Sequence, residues 1–206
     1  MKAERRLVLA SDNKGKLAEL RALLGPSGVE LAAQGELGIE AAPEPYATFV
    51  ENALAKARHV ARASGLPALA DDSGICCRAL GGAPGVLSAR YAAAGDAQGN
   101  SDDRQNNARL LERLKGITDR AAHYCCWIVA VRHPQDPEPL LAEGRWEGEI
   151  LSEARGQGGF GYDPYFWIPE LQCTAAQLSA DRKNAVSHRG IAMRKMAALL
   201  QERWSW

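Results

Sequence analysis

Leu66-Pro67-Ala68-Leu69-Ala70-Asp71-Asp72-Ser73-Gly74 is the stretch on whose reading the fold turns. Its apolar half is too short and too Pro-marked for a helix, and reads as a buried strand that delivers two carboxylates to its end. Neighbouring residues on a strand point to opposite faces, so only one of Asp71 and Asp72 looks squarely into a given cleft unless the chain is already turning. Gly74 permits such a turn. The plainer reading of Asp71 through Gly74 is a turn with solvated acids. Ile75 through Leu80 is predicted as a further strand. The glycine-rich loop Gly81–Gly85 after it has a composition that favours close backbone approach.

Towards the N-terminus, Leu7-Val8-Leu9-Ala10 reads as the first strand, followed by Ser11-Asp12-Asn13-Lys14-Gly15-Lys16 and by Leu17, Leu20, Leu23 and Leu24 at helical spacing. The Ser/Asp/Asn cluster supplies cap oxygens, and Gly25-Pro26 stops the helix. Free N–H groups at that helix start, with Lys14 and Lys16 beside them, form a local anion site. A capped surface helix with two solvated lysines is the competing reading. No Walker pattern is present. Val29–Ala33 is a second strand candidate and Ala41–Tyr46 a rigid connector. Thr48-Phe49-Val50-Glu51 fits a capping box that opens a helix through Ser64, ended by Gly65. Glu51, Asn52, Lys56 and His59 share part of one face of it, either lining a pocket or solvated.

Towards the C-terminus, the polar segment Ala94–Ser101 leads into a helix carrying Leu110, Leu111 and Leu114 and ending at Gly116. Ala122–Arg132 is the longest strand candidate, turned by Pro134–Pro137 into Leu140–Trp146 as an antiparallel hairpin, which makes the sheet mixed. His123 and His133 read as core or edge residues. Gly156-Gln157-Gly158-Gly159-Phe160-Gly161 formally matches G-x-G-x-x-G. Tyr162-Asp163-Pro164 follows with no helical period, so the dinucleotide reading is rejected. Phe160 is placed either to expose an aromatic face, with Asp163 behind it as acceptor, or to fold back into the core. Ser187 is a cap for a final helix that begins with His188 and Arg189. Cations there oppose the helix dipole, which hints at a ligand.

The 206 residues, 46% hydrophobic, suffice for a core that folds alone. Lys+Arg and Asp+Glu both number 25, so the net charge is zero and no field draws the chain to nucleic acid or membrane. The five cysteines, Cys76-Cys77, Cys125-Cys126 and Cys173, fit neither a zinc spacing nor a disulfide framework and read as buried thiols. Lys2, Glu4, Arg5 and Arg6 precede only a short apolar run, so neither a signal peptide nor a membrane span is expected, and a cytoplasmic location follows.

Together these segments resemble the inosine/xanthosine triphosphate pyrophosphatase family, whose members remove non-canonical purine nucleotides. The resemblance spans nearly the whole chain. It is carried by Ser11–Lys16, Thr48-Phe49-Val50-Glu51-Asn52-Ala53, Ala70–Gly74, Gly85-Val86-Leu87-Ser88-Ala89-Arg90-Tyr91-Ala92, Gly159–Pro164 and Ser187-His188-Arg189-Gly190. Ser11 replaces the family's usual threonine, and Cys76-Cys77-Arg78 replaces a more usual apolar and acidic run. The resemblance implies an α/β fold with a mixed, strongly twisted sheet and flanking helices, two lobes around a central cleft, in a single domain over 1–206 and typically a homodimer. It implies hydrolysis of ITP, dITP and XTP to the monophosphate and pyrophosphate. Ser11, Asp12, Asn13, Lys14, Gly15 and Lys16 would hold the triphosphate. Asp72 would be the general base and a magnesium ligand, with Glu44 as a second carboxylate for Mg2+ and Ser73 against the nucleotide. Phe160, Gly161, Tyr162 and Asp163 would hold base and sugar, and Lys183, His188 and Arg189 would read the base edge. The alternatives are a related pyrophosphatase with another base specificity and a nucleotide sensor that does not cleave. The physical reading agrees with a metal: a triphosphate carries about four negative charges, more than a helix terminus neutralises.

Overall fold

Among the described residues, strands of two to eleven residues form one mixed seven-stranded sheet. The computed structural model describes residues 5–12, 17, 18, 21, 28–93 and 102–206. Asn13, Lys14, Gly15 and Lys16, the expected helix end at Gly25-Pro26 and the segment 94–101 lie outside them. Leu17, Ala18 and Arg21 are helical, as the leucine spacing predicts.

The strands are β1 (Arg6–Leu9), β2 (Glu30–Ala33), β3 (Ala68–Cys77), β4 (Ala121–Val131), β5 (Leu140–Ile150), β6 (Phe166–Ile168) and β7 (Cys173–Thr174), in the order β2-β1-β3-β4-β5-β6-β7. β1 runs parallel to both β2 and β3, with Val8 opposite Ala32 and Ala68. β6 is antiparallel to both β5 and β7, so the sheet is mixed as expected. Beyond the helical residues at 17, 18 and 21, the described helices are α1 (Phe49–Ser64), α2 (Asp103–Arg113), α3 (Ala180–Val186) and α4 (His188–Trp204). Thr48 caps α1 by accepting from the Glu51 N–H at 3.3 Å, and Gly65 ends it in the left-handed conformation.

The central stretch departs from its expected form. β3 does not stop at the acids but runs for ten residues through Gly74 to Cys77, and the strand expected over Ile75–Leu80 is its continuation followed by a 3₁₀ turn at Arg78–Leu80. The reason is burial on both faces: eight of its ten residues are buried, and ladder pairing with side-chain packing overrides the turn preference of Asp-Asp-Ser-Gly. The Gly81–Gly85 loop is also explained differently. Gly81, Gly82 and Gly85 have positive φ and nothing within 4 Å of an added Cβ, so conformation, not close approach, selects glycine there.

The chain divides into two compact units. The first comprises Met1–Asp72, Cys126–Gly144 and Arg189–Trp206; the second comprises Ser73–Cys125 and Arg145–His188. In the first unit the two-residue strand period sorts side chains into two cores. Leu7, Leu9, Leu69, Ile128 and Ala130 pack with Met193 and Met196 of α4. Val8, Ala10, Ala68, Ala70, Val129 and Val131 pack with Ala53, Ala57 and Val60 of α1. Each helix thus covers one side of the strands, and β3 carries Asp71 in phase with Leu69 and Asp72 in phase with Ala70. In the second unit Ile75, Cys77, Leu110, Leu114, Tyr124, Trp146 and Phe166 share a single core, and its burial pushes the Cys77 thiol up to about 12.

The turn after β4 holds a buried acid. Asp136 accepts from the Arg132 N–H at 2.9 Å, from Arg132 Nε at 2.9 Å and Nη2 at 2.7 Å, and from the Glu138 N–H at 3.0 Å. The Arg132 guanidinium, more than burial opposes it, holds this carboxyl far below the usual carboxylate range. A depressed folded-state pKa gives stability that is complete above the unfolded value and is lost as pH falls through the folded one. Asp136→Asn is therefore expected to lose about 2 kcal/mol at neutral pH, a deficit that narrows below about pH 4. Urea unfolding of parent and variant at pH 7 and pH 3 checks it, and an equal gap at both would contradict the assignment.

Candidate functional site

In the first unit, α1 and β3 bring four polar residues together. Asn52 and Lys56, one helical turn apart, are buried on the α1 face that meets Asp72. Asn52 donates to Asp72 Oδ2 at 3.2 Å and Lys56 Nζ to Asp72 Oδ1 at 3.2 Å, so each carboxylate oxygen has its own donor. Lys56 Nζ also reaches Glu44 Oε1 at 2.7 Å, which ties the connector to the same cluster. Asn52 completes this by pairing with both the N–H and the carbonyl of Tyr46, two residues past Glu44. Burial alone would push the Lys56 ammonium down, but the carboxylates of Asp72, Asp71 and Glu44 outweigh it and hold the group above the ordinary lysine value. The chemistry is thus two carboxylates held at one buried, persistently charged cation.

Asp71 faces the other way. Its carboxylate lies 3.5 Å from Arg189 Nε, and both residues are buried, at 1% and 3% exposure. The protein thus supplies an anion of its own beside Arg189 at the start of α4, where the dipole argument asks for one. Glu51 is spent on its cap, accepting from the Thr48 hydroxyl at 2.6 Å, and His59 turns to the Glu40 carbonyl at 3.0 Å. Ser11 is half-buried just beyond β1. Asp12 accepts from Gln34 Nε2 at 2.7 Å and from the Gly35 N–H at 3.0 Å, so its carboxylate ties the end of β1 to the turn after β2.

In the second unit the Gly159–Asp163 turn is built around one acid. Asp163, 2% exposed, accepts from the Phe160 N–H at 2.9 Å, from Lys183 Nζ at 2.7 Å and, at the long end of hydrogen bonding, from the Tyr124 hydroxyl at 3.4 Å. Gly159 sits at φ +73°, and a Cβ there would run into the Asp163 carboxylate, so only glycine allows the turn to close. Phe160 is consequently displayed, 39% exposed, with Lys183 Nζ 4.6 Å from its ring centroid. It is not a core residue. Gly161 is clamped by α2: its N–H donates to Asp103 at 2.6 Å, and its carbonyl accepts from Asn107 at 2.9 Å. Tyr162 has its ring buried in the core and its hydroxyl donates to the Ser88 carbonyl at 2.8 Å. His188 stacks on Tyr124, with ring centroids 4.6 Å apart and planes 6° apart. Ser73 is half-buried inside β3 rather than on a turn.

Asn52 and Lys56, read from the sequence as either lining a pocket or solvated, are buried donors to Asp72, and Tyr124, read only as part of a strand, contacts Asp163 and His188. The spacing of Asn52 and Lys56 put them on one face, but nothing local marks that face as buried. Tyr124 lies in an apolar strand and reads as core. The helix that carries Lys183, α3, was missed, because its seven residues hold no apolar stripe. Among the described residues no group of three or more His, Cys, Asp or Glu could hold a metal alone.

The Ham1 family model matches residues 7–199. A dITP/XTP pyrophosphatase of Ralstonia nicotianae is 61% identical over 197 residues, covering 96% of this chain and 97% of the relative. One from Nitrosomonas europaea is 56% identical, covering 96% and 95%. Among solved structures, a HAM1 protein from Coxiella burnetii superposes with a TM-score of 0.88 at 46% identity, covering 96% of this chain and 98% of that one. The Staphylococcus aureus Ham1 protein gives 0.82 at 35% identity, covering 95% and 98%.

Proposed function

The chain belongs to the Ham1 family, and we propose on that premise that it hydrolyses inosine and xanthosine triphosphates, ribo or deoxy, to the monophosphate and pyrophosphate. The observation that carries the chemistry is the Glu44–Lys56–Asp72 cluster, two carboxylates held on one buried cation. Hard carboxylate oxygens are the donor type that Mg2+ takes, so Asp72 and Glu44 fit as its protein ligands. When bound, the ion would neutralise phosphate charge and polarise the phosphoryl group under attack.

The chain's own residues do the rest. Asp72, fixed by Asn52 and Lys56, orients the attacking water and takes its proton. The loop Ser11–Lys16 is assigned to the β- and γ-phosphates, with its lysines as counter-charges. Phe160 offers its exposed ring to the base, and Lys183 and His188 offer donors to a 6-oxo group. A site built on such polar pairing rejects the 6-amino group of adenine by up to roughly 10⁴-fold. Asp163 holds Phe160 and Lys183 in place, and Arg189 anchors α4 through Asp71. The same reading places the enzyme in the cytoplasm as a homodimer, supported by family resemblance, and sedimentation of the purified chain tests the dimer.

Phe160→Ala should raise KM for ITP by the equivalent of about 1–3 kcal/mol, the range for bases stacked on aromatics, with little change in melting temperature. A large fall in melting temperature with KM unchanged would instead make the ring structural.

The function itself is tested by magnesium-dependent pyrophosphate release over inosine, xanthosine, guanosine and uridine triphosphates, run in ¹⁸O-labelled water. Label is expected in the nucleoside monophosphate, from attack on the α-phosphorus. Orthophosphate as first product would overturn the mechanism, preference for another base the substrate assignment, and binding without release the enzyme itself.

A further inference from the structure

We propose that Tyr124, on β4, is a positioning residue of the base pocket, its ring fixing the plane of His188 and its hydroxyl fixing the carboxylate that holds Phe160 and Lys183. This rests on the reading of Phe160, Lys183 and His188 as the base-holding groups.

Tyr124 is 7% exposed and has contacts on several sides. The Phe166 ring meets it edge-on at 4.7 Å and 62°, and Trp146 lies 6.4 Å from it at 25°. Those contacts and the paired strand leave the ring little freedom. The His188 imidazole lies flat on this immobilised ring, with Trp146 a further 6.4 Å neighbour at 21°. A face-to-face contact fixes the imidazole plane and leaves hydrogen bonding to its edge, where both nitrogens lie. In-plane donation to a purine edge needs that constraint, because tilting the ring would carry the donor out of the base plane.

The hydroxyl acts on the other half of the pocket. It lies 3.4 Å from Asp163 Oδ1, while Asp163 Oδ2 receives Lys183 Nζ and the Phe160 N–H. The two oxygens thus have separate partners, and the phenol decides how the carboxylate is rotated towards the turn. Burial and the Asp163 charge push the Tyr124 phenol well above the ordinary tyrosine value, so it remains a donor throughout any practical assay. One side chain therefore touches both His188 and the acid behind Phe160 and Lys183, although these come from distant parts of the sequence.

The test uses the full-length enzyme with Tyr124→Phe, Tyr124→Leu, His188→Ala and the Leu/Ala double variant. It reads kcat and KM for ITP, Kd for inosine monophosphate by calorimetry, and melting temperature. Tyr124→Phe keeps the stack and loses only the hydroxyl. It should raise KM and Kd about three- to tenfold, the size of one net hydrogen bond, with kcat within about twofold and melting temperature nearly unchanged. Tyr124→Leu also loses the stack, and should raise both by a further factor of about ten. Its loss should be non-additive with that of His188→Ala. Unchanged KM and Kd in both Tyr124 variants, or losses confined to melting temperature and the fraction of active enzyme, would overturn the proposal and leave the function standing. A parent that neither binds nor turns over inosine nucleotides would overturn both. A parent that binds without turnover would overturn only the enzymatic reading, and Kd would still decide on Tyr124.

Discussion

Asp72→Asn should fold like the parent and lose about 10²–10⁴ in kcat, the usual worth of a positioned general base. Asparagine preserves the shape of the side chain, and its one oxygen can still accept from Asn52 or Lys56, which donate to the two oxygens of Asp72 at 3.2 Å. Lys56 keeps its bond to Glu44 at 2.7 Å, so the buried ammonium is not stranded. What disappears is the charge and the capacity to accept the water proton. Because Lys56 and Asn52 each keep a second acceptor, Glu44 and the Tyr46 carbonyl, melting temperature should move far less than turnover. Single-turnover kinetics at saturating ITP and magnesium is the decisive measurement, and a variant retaining near-parental turnover would remove Asp72 from the chemistry.

Asp71→Asn should do the reverse. Its carboxylate faces Arg189 at 3.5 Å with both partners almost wholly excluded from solvent. Removing one member of a buried pair strips the other of its opposite charge, at a cost of up to about 3–5 kcal/mol. For a chain of this size that lowers the melting temperature by roughly 10 °C or more, while the fraction that remains folded should turn over nearly as fast as the parent. Replacing both members with apolar residues of similar volume should recover much of the lost stability, since a buried charge that has lost its opposite is expensive. Calorimetry on the single and double variants checks this. Equal kinetic losses in the Asp71 and Asp72 variants would dissolve the assignment of a single base.

The opposite fates of these adjacent acids were legible in the sequence, because a period of two is a property of any extended chain. The length of β3 was not. Ser73 and Gly74 read as a turn by their intrinsic preferences, and only a strand packed on both sides makes extension the lower-energy choice. Thr48, Glu51 and Gly65 announced α1 because capping is a local chemistry. By contrast Asp163 collects donors from Tyr124, Phe160 and Lys183, and no pattern in the neighbourhood of any one of them encodes that convergence. Phe160 was legible as an exposed aromatic only because glycines flank it; that Lys183 would lie over its ring depended on the unrecognised α3. The role of Asp71 was half legible: its direction followed from the period, and its partner required the packing of α4 on that face.

The partition of the chain bears on its birth on the ribosome. Leu7 and Leu9 belong to a core that is completed only by Ala192, Met193, Met196 and Leu200, nearly the whole chain later. Segments Ser73–Cys125 and Arg145–His188 are all synthesised before α4 can follow His188 out of the exit tunnel. Vectorial synthesis ordinarily lets the N-terminal part of a protein fold first. Here the order is inverted: the unit that displays Phe160 can close while the side of β1 that carries Leu7 and Leu9 still waits for α4, and the unit that holds Asp72 closes last. For that interval one apolar side of β1, that of Leu7 and Leu9, is uncovered, so this nascent chain should lean on holdase chaperones for longer than its modest size would imply.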